Sequence, residues 1–329
     1  MFHGEFLVPE YYLSFSCKGK KCRKCCCDGF VVTLNEKEYF SLHNLDVSKE
    51  LKDKIDAFVG LVQKGNEEEY GRIYPNFYGE CPLRLSNGYC GLQMEVGEER
   101  IPSVCRYFPR APRLYPFPYV CLSLACEWVS EFFFQSDQEV LGFQKKELSF
   151  FFQDDEKKED ETSKEELLSF VRRFNSSRDL FDILLDVRKD FDLSSDKERE
   201  SYLLSRLKTL YRRSSLFPYL SNIEYEPVGK KELMEMENRV SGSLSVLKKM
   251  MVNHILYMQV PCMPNLPRKD SVFAFLYLFD LFVLMVLQNG IKDRTEFVDM
   301  VSSCFRTFEH SNVYAEISLL VENTRQKKS

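Results

Sequence analysis

The chain has 329 residues, a formal net charge of −5, and 44% apolar against 29% charged residues. That balance excludes a disordered chain and gives no general electrostatic affinity for nucleic acid. The length allows one large domain or two ordinary ones, and 28 Phe with 17 Tyr point to aromatic-rich packing between helices.

In chain order, the opening MFHGEFLVPEYYLSF has neither a basic start nor a long apolar core. It does not read as a signal peptide, so a cytoplasmic protein is expected. Thiols dominate the region after it: of twelve cysteines, only Cys262 and Cys304 lie beyond residue 130. Thiols this dense in a reducing compartment are more often ligands of a soft metal than disulfides.

Phe30 to Leu34 reads as a short strand, and Asn35 with Glu38 as a capping box that opens a short helix. Apolar residues at Leu51, Ile55, Phe58, Val59 and Val62 predict a helix over 48–64. Tyr74 to Cys90 returns to loop chemistry, with Pro75, Gly79, Pro82 and Asn87-Gly88. The run DDEKKEDETSKEE at 154–166 is a solvated linker or helix start. Beyond it, helical spacing predicts helices near 164–175, 178–192, 198–213, 231–258, 271–288, 293–308 and 311–324.

Val272 to Leu287 is apolar except for Asp280. Such a run is short for a membrane span and has an acid near its centre, so it reads as a buried helix and no membrane span is expected. The expected fold is mainly α with a small cysteine-rich α+β or irregular N-terminal domain. The expected division is a cysteine-rich metal-binding domain over 1–135, a connecting segment with the charged linker over 136–166, and a helical domain over 167–329.

A thiolate centre needs four ligands converging on one point, and a loop cluster with distant partners supplies them on folding. Cys22, Cys26 and Cys27 form the first part, and Cys81, Cys90 and Cys105 the second. Cys17 and Cys126 are close candidates, while Cys25 is the odd member of its run. The four histidines, His3, His43, His254 and His310, lie outside the core of the pattern. An all-sulfur shell suits an iron–sulfur cluster or zinc. Cys22 and Cys26 fit the first half of C-x-x-x-C-x-x-C, but position 29 is Gly; only Cys22 and Cys25 have C-x-x-C spacing, so a zinc ribbon does not fit. Cys262 and Cys304 read as buried inert thiols. The chain has no G-x-G-x-x-G after a strand, no Walker loop, no G-x-S-x-G and no H-E-x-x-H.

At these residues the sequence resembles the flagellin lysine-N-methylase family, whose cysteine pattern is shared with a broader group of zinc- or iron-chelating domains. Leu7-Val8-Pro9, then Phe15-x-Cys17-x4-Cys22-x3-Cys26-Cys27-x-Gly29-Phe30, is similar to the family's first motif. Cys81-Pro82-Leu83 with Asn87-Gly88-Tyr89-Cys90 is similar to the second, Cys105-Arg106-Tyr107-Phe108-Pro109-Arg110 to the third, and Leu122-Ser123-Leu124-Ala125-Cys126 to the fourth. In the helical half, Asn253-His254-Ile255-Leu256 and Phe305-Arg306-x-Phe308-Glu309-His310 resemble further segments. The resemblance implies transfer of a methyl group from S-adenosylmethionine to lysines of flagellin by a protein carrying a 4Fe–4S cluster. Phe30 stands where Trp is usual, Asn35 where Asp is usual, and Glu127 where Pro is usual; Cys25 and Cys121 look additional. The alternative is a non-catalytic zinc- or iron-chelating protein.

Arg106 and Arg110 flank the Cys105 segment and suit a cofactor carboxylate or the charge of a thiolate cluster; the plainer alternative is a structural ion pair. His310 is a candidate acceptor for the proton that a lysine must lose, against a packing role. His254 has the same alternatives. Asp280 is expected to pair with a buried partner.

Overall fold

Side-chain caps set where the helices begin. In this computed structural model, which describes residues 2–67, 69–135, 141–150 and 159–326, the Asn35–Glu38 capping box forms as expected, with Glu38 N donating to Asn35 Oδ1 at 2.9 Å and Asn35 N to Glu38 Oε2 at 3.1 Å. Asp160, Asp179, Asp196 and Asp293 cap four later helices, each side chain accepting a backbone N–H of the first turn. Residues 136–140 and 151–158, which include part of the charged run and of the connecting segment, lie outside the described residues.

The elements run β1 (Phe2–Pro9), α1 (Glu10–Ser14), β2 (Val32–Leu34), α2 (Glu36–His43), α3 (Lys49–Phe58), β3 (Val59–Leu61), β4 (Gly71–Ile73), α4 (Gly91–Val96), α5 (Ser103–Tyr107), β5 (Arg110–Arg113), β6 (Tyr119–Leu122), α6 (Glu127–Gln135) and β7 (Phe143–Phe150). Helices then take over: α7 (Glu161–Phe174), α8 (Leu180–Asp190), α9 (Lys197–Leu210), α10 (Phe217–Leu220), α11 (Lys230–Arg239), α12 (Ser243–Met258), α13 (Arg268–Gln288), α14 (Arg294–Phe308) and α15 (Val313–Gln326). The mainly helical class with a small mixed N-terminal part is what the sequence predicts.

The chain divides into two compact units. The first comprises Met1–Gly4, Ser16–Ala111 and Leu148–Glu156; the second comprises Glu5–Phe15, Pro112–Glu147 and Lys157–Ser329. Residues 112–135, cysteine-rich by composition, thus pack in the second unit and take Cys121 and Cys126 with them.

In the first unit, β2 and β3 pair antiparallel on either side of β4, with Val32 and Val59 both opposite Ile73. α2 and α3 close over this sheet, burying Leu34, Leu42, Leu51, Ile55, Val59 and Ile73. The helix expected over 48–64 ends at Phe58, because Val59, Gly60 and Leu61 pair with β4 instead of continuing the turn. A Cβ at Gly71 would meet the Tyr39 ring at 2.4 Å, so only glycine lets that ring lie on the sheet.

In the second unit, Leu7 on β1 lies opposite Tyr119 on the parallel β6. α12 and α13 form the core. α13 is buried from Asp270 to Val286 on every face. It is long and apolar enough to cross a membrane by length and composition, yet 94% of its most apolar stretch is buried inside the fold, which marks a core helix. The helix expected over 231–258 breaks in two at Gly242, whose φ of +88° is open to glycine at little cost.

Candidate metal centre and a buried carboxylate network

The thiol site is built by a turn pinned against a second loop. Asp28 N donates to Cys25 O at 3.0 Å, and this closes Cys25-Cys26-Cys27 into a turn in which Cys27 N also points at Cys25 Sγ, 3.4 Å away. The three sulfurs lie within 4.8 Å of one another. Cys81 N donates to Cys27 O at 2.7 Å and Gly29 N to Gly79 O at 2.9 Å, so the backbone at 79–81 is tied to the turn. Past Cys81 the chain turns at Gly88, φ +87°, and returns so that Arg84 and Cys90 form an antiparallel bridge. Cys90 then caps α4, and Cys105 lies on α5.

Crowding sets the charge of these sulfurs. Cys25 is pulled far below the usual thiol range by sulfur hydrogen bonds from Cys26 and then Cys27; both of those thiols are pushed up by bonding to Cys25. Three sulfurs this close cannot all ionise together unless a cation shares their charge. Cys81 is raised by burial, and also by Cys90 and Cys25. Cys105 keeps an exposed face, yet packing around its sulfur raises it, with Cys81, Cys90 and Cys26 adding to the effect. Cys81 and Cys105 thus lie within electrostatic reach of the turn sulfurs and of Cys90.

Arg84 faces them. Desolvation works against the Arg84 guanidinium, but Cys25, Asp28 and Cys27 together raise it, and its Nη1 lies 3.0 Å from Asp28 Oδ1. Its place is beside the thiols, where it offsets anionic charge.

Among the residues named from sequence, Cys26 and Cys27 belong to the close group, and Cys81 and Cys105 lie within electrostatic reach of it and of Cys90. Cys22 lies on the same loop, outside the 4.8 Å group. Cys17 is exposed, with its sulfur accepting from Gly19 N at 3.3 Å. Cys126 is partly buried, at the turn before α6 in the second unit. Arg106 lies 3.4 Å from the exposed Glu99 carboxylate and stacks on Tyr107. Arg110 opens β5 at the edge of the first unit. Cys25 and Arg84 were not legible as site residues: one looked surplus to a spacing pattern, and the other lies three residues past Cys81 with no motif around it. A dense thiol donor set fits a soft metal ion or cluster.

The second unit holds a different arrangement. Glu309 is buried, and its Oε2 accepts the Ser123 hydroxyl at 2.5 Å. Its Oε1 accepts Leu124 N at 3.2 Å and lies 3.4 Å from His254 Nδ1. His254 Nε2 is 2.9 Å from the Tyr314 hydroxyl. Ser123 Oγ is also 3.4 Å from His310 Nε2. One residue earlier on α12, Asn253 donates to Leu122 O at 2.7 Å and accepts the Tyr11 hydroxyl. Three segments singled out in the sequence, at 122–126, 253–256 and 305–310, thus meet in one buried polar network. The sequence named His310 and His254, but the residue that joins them through hydrogen bonds is Glu309 with Ser123.

No family model matches the chain, and no solved structure matches it. The chain is 31% identical over 147 residues to the flagellar biosynthetic protein FliU of Salmonella muenchen, a stretch covering 43% of this chain and 83% of FliU. It is also 31% identical over 127 residues to lysine-N-methylases of Salmonella typhimurium and Salmonella choleraesuis, covering 37% of this chain and 30% of each. The match thus spans less than a third of those methylases' length. By the share of FliU that it covers, the chain belongs to the FliU family; its relationship to the lysine-N-methylases is distant.

Proposed function

We propose that this protein is a cytoplasmic, S-adenosylmethionine-dependent protein-lysine N-methyltransferase that acts on flagellin or a flagellin-like protein and carries a 4Fe–4S cluster. The observation that carries the reading is the group of crowded sulfurs around Cys25, Cys26 and Cys27 in a relative of proteins named for lysine methylation. Cys22, Cys26, Cys27, Cys81, Cys90 and Cys105 are the proposed ligand pool, with Cys17 and Cys126 as further candidates and Cys25 added by the geometry. Arg84 would balance the centre's negative charge.

S-adenosylmethionine supplies an electrophilic methyl group when bound. Arg106 and Arg110 are the proposed anchors for its carboxylate. The ion pair of Arg106 is with an exposed glutamate, and such a pair is held weakly and exchanged readily. His310 is the proposed proton acceptor. Burial holds it below the usual imidazole range, Glu309 works against this, and Arg113 and Arg306 favour it; the result is a neutral ring at pH 7.

The test is protein purified without oxygen, assayed for iron, sulfide and absorbance, then given labelled methyl donor and flagellin. Iron with sulfide, plus label on lysine, is expected. Zinc without iron, and no label, would favour a zinc-chelating module, a reading that rests on the same sulfurs alone.

A further inference from the structure

We propose that Ser123 and Glu309 are positioning residues that hold His310 as its Nε2–H tautomer, so that Nδ1 is the nitrogen that accepts a proton from a cationic amine. The amine's identity rests on the proposed methyl transfer; the tautomer does not.

The bonds that Ser123, Tyr314 and His254 make place their hydrogens. Three donors converge on Glu309: the Ser123 hydroxyl at 2.5 Å, Leu124 N at 3.2 Å, and His254 Nδ1 at 3.4 Å. The Tyr314 hydroxyl, 2.9 Å from His254 Nε2, has a hydrogen to give there, and that leaves the His254 hydrogen on Nδ1, facing the carboxylate. Every partner is then satisfied with Glu309 as a pure acceptor. Ser123 has one hydroxyl hydrogen, and Glu309 takes it. Its oxygen can only accept further bonds, from Ala125 N at 3.2 Å and from His310 Nε2 at 3.4 Å. His310 meets that oxygen favourably only if Nε2 bears the hydrogen. In the neutral ring Nδ1 then carries the lone pair.

The ring is also fixed from the side. Tyr257 lies 6.0 Å from the imidazole at 72°, and Arg113 lies 5.1 Å from the centre of the Tyr257 ring. The charged and titratable groups around His310 include Glu309, Arg113, Arg306 and Tyr257. His310 itself keeps an exposed face while Nε2 reaches the buried serine.

In the reaction, Nδ1 takes one proton from a lysine ammonium. The freed amine uses its lone pair to form the N–C bond while the S–C bond of the donor breaks, leaving a methylammonium and a neutral thioether. The proton on His310 returns to water at the exposed face.

The test is nitrogen-15 NMR of histidine-labelled protein at pH 7, with the His310 signals assigned by their loss in His310→Gln. Wild-type protein should show Nε2 protonated and Nδ1 unprotonated. Ser123→Ala and Glu309→Gln should shift His310 toward a mixture of tautomers. In the methyl-transfer assay they should lower kcat about tenfold to a hundredfold with KM little changed, and move the acid limb of the pH profile. Nδ1–H or a charged imidazolium in the wild type would overturn the proposal, as would an unchanged His310 spectrum in folded Ser123→Ala. The expected tautomer without any methyl transfer would support the positioning and remove the assigned reaction.

Discussion

Arg188 on α8 sets its Nη2 2.7 Å from Oδ2 of Asp280, the one acid within the apolar run of α13. The carboxylate side chain is 7% exposed and the guanidinium 24%, so the acid is sealed in while the arginine keeps contact with water. Truncating Arg188 to Ala leaves a buried carboxylate without its bonded cation. A loss of about 3–5 kcal/mol in urea unfolding is expected. Arg188→Met with Asp280→Leu together should cost clearly less, because the unpaired charge is then gone. Equal losses in the single and double variants would show that the packing, not the charge, matters.

The same pair gives a pH dependence. Burial pushes the Asp280 carboxyl up to about 6, while Arg188 pulls the other way and Glu200 adds to the rise. A raised carboxyl binds its proton more tightly in the folded chain than in the unfolded one. Its contribution to stability is therefore full below about pH 4 and is lost as pH rises toward about 6. The stability difference between wild type and Asp280→Asn, measured by urea unfolding at each pH, should shrink by at most about 3 kcal/mol over that window and stay level above it. A difference that grows between pH 4 and 6 would give the opposite sign.

These helical features were legible because apolar spacing and caps are local. The buried helix at 272–287, its paired Asp280, and the capping box at Asn35 all follow from residues within a few positions of each other. What was not legible depends on distant pairing. Val59 to Leu61 has helical spacing with its neighbours but pairs with β4, and Gly242 breaks a run that apolar periodicity joins. The thiol site shows the same limit. The density of cysteines announced a site, but the order in which sulfurs approach is set by the hydrogen bond from Cys81 N to Cys27 O, between residues 54 positions apart. Glu309 looked like the neighbour of a candidate base until Ser123, 186 residues away, was placed on it.

Asn253 offers a second stability test. Its amide donates to Leu122 O at 2.7 Å, and its Oδ1 accepts from Tyr11 and, at 3.4 Å, from Leu122 N. Asn253→Ala leaves these buried groups without the amide and should cost about 2–4 kcal/mol. Tyr11→Phe removes one donor only and should cost about 1 kcal/mol. The two losses should be less than additive in a double-variant cycle, since both act on one oxygen. Full additivity in thermal or urea unfolding would separate the two residues.

Metal content separates the clustered thiols from the buried ones. Cys25, Cys26 and Cys27 converge within 4.8 Å, whereas Cys304 is buried on α14 and is raised by burial alone. Metal per chain, measured on protein kept from oxygen, should fall to background in Cys26→Ser and Cys81→Ser. It should fall in Cys25→Ser as well, a residue that the spacing pattern set aside. Cys304→Ala should keep its metal. A metal shared by these sulfurs would tie the loop near residue 26 to those near 81 and 105, so removing it should open the first unit to protease while the second unit, with its own buried α12 and α13, stays resistant. Metal retained in Cys25→Ser, together with metal lost in Cys304→Ala, would mean that the centre lies elsewhere in the chain.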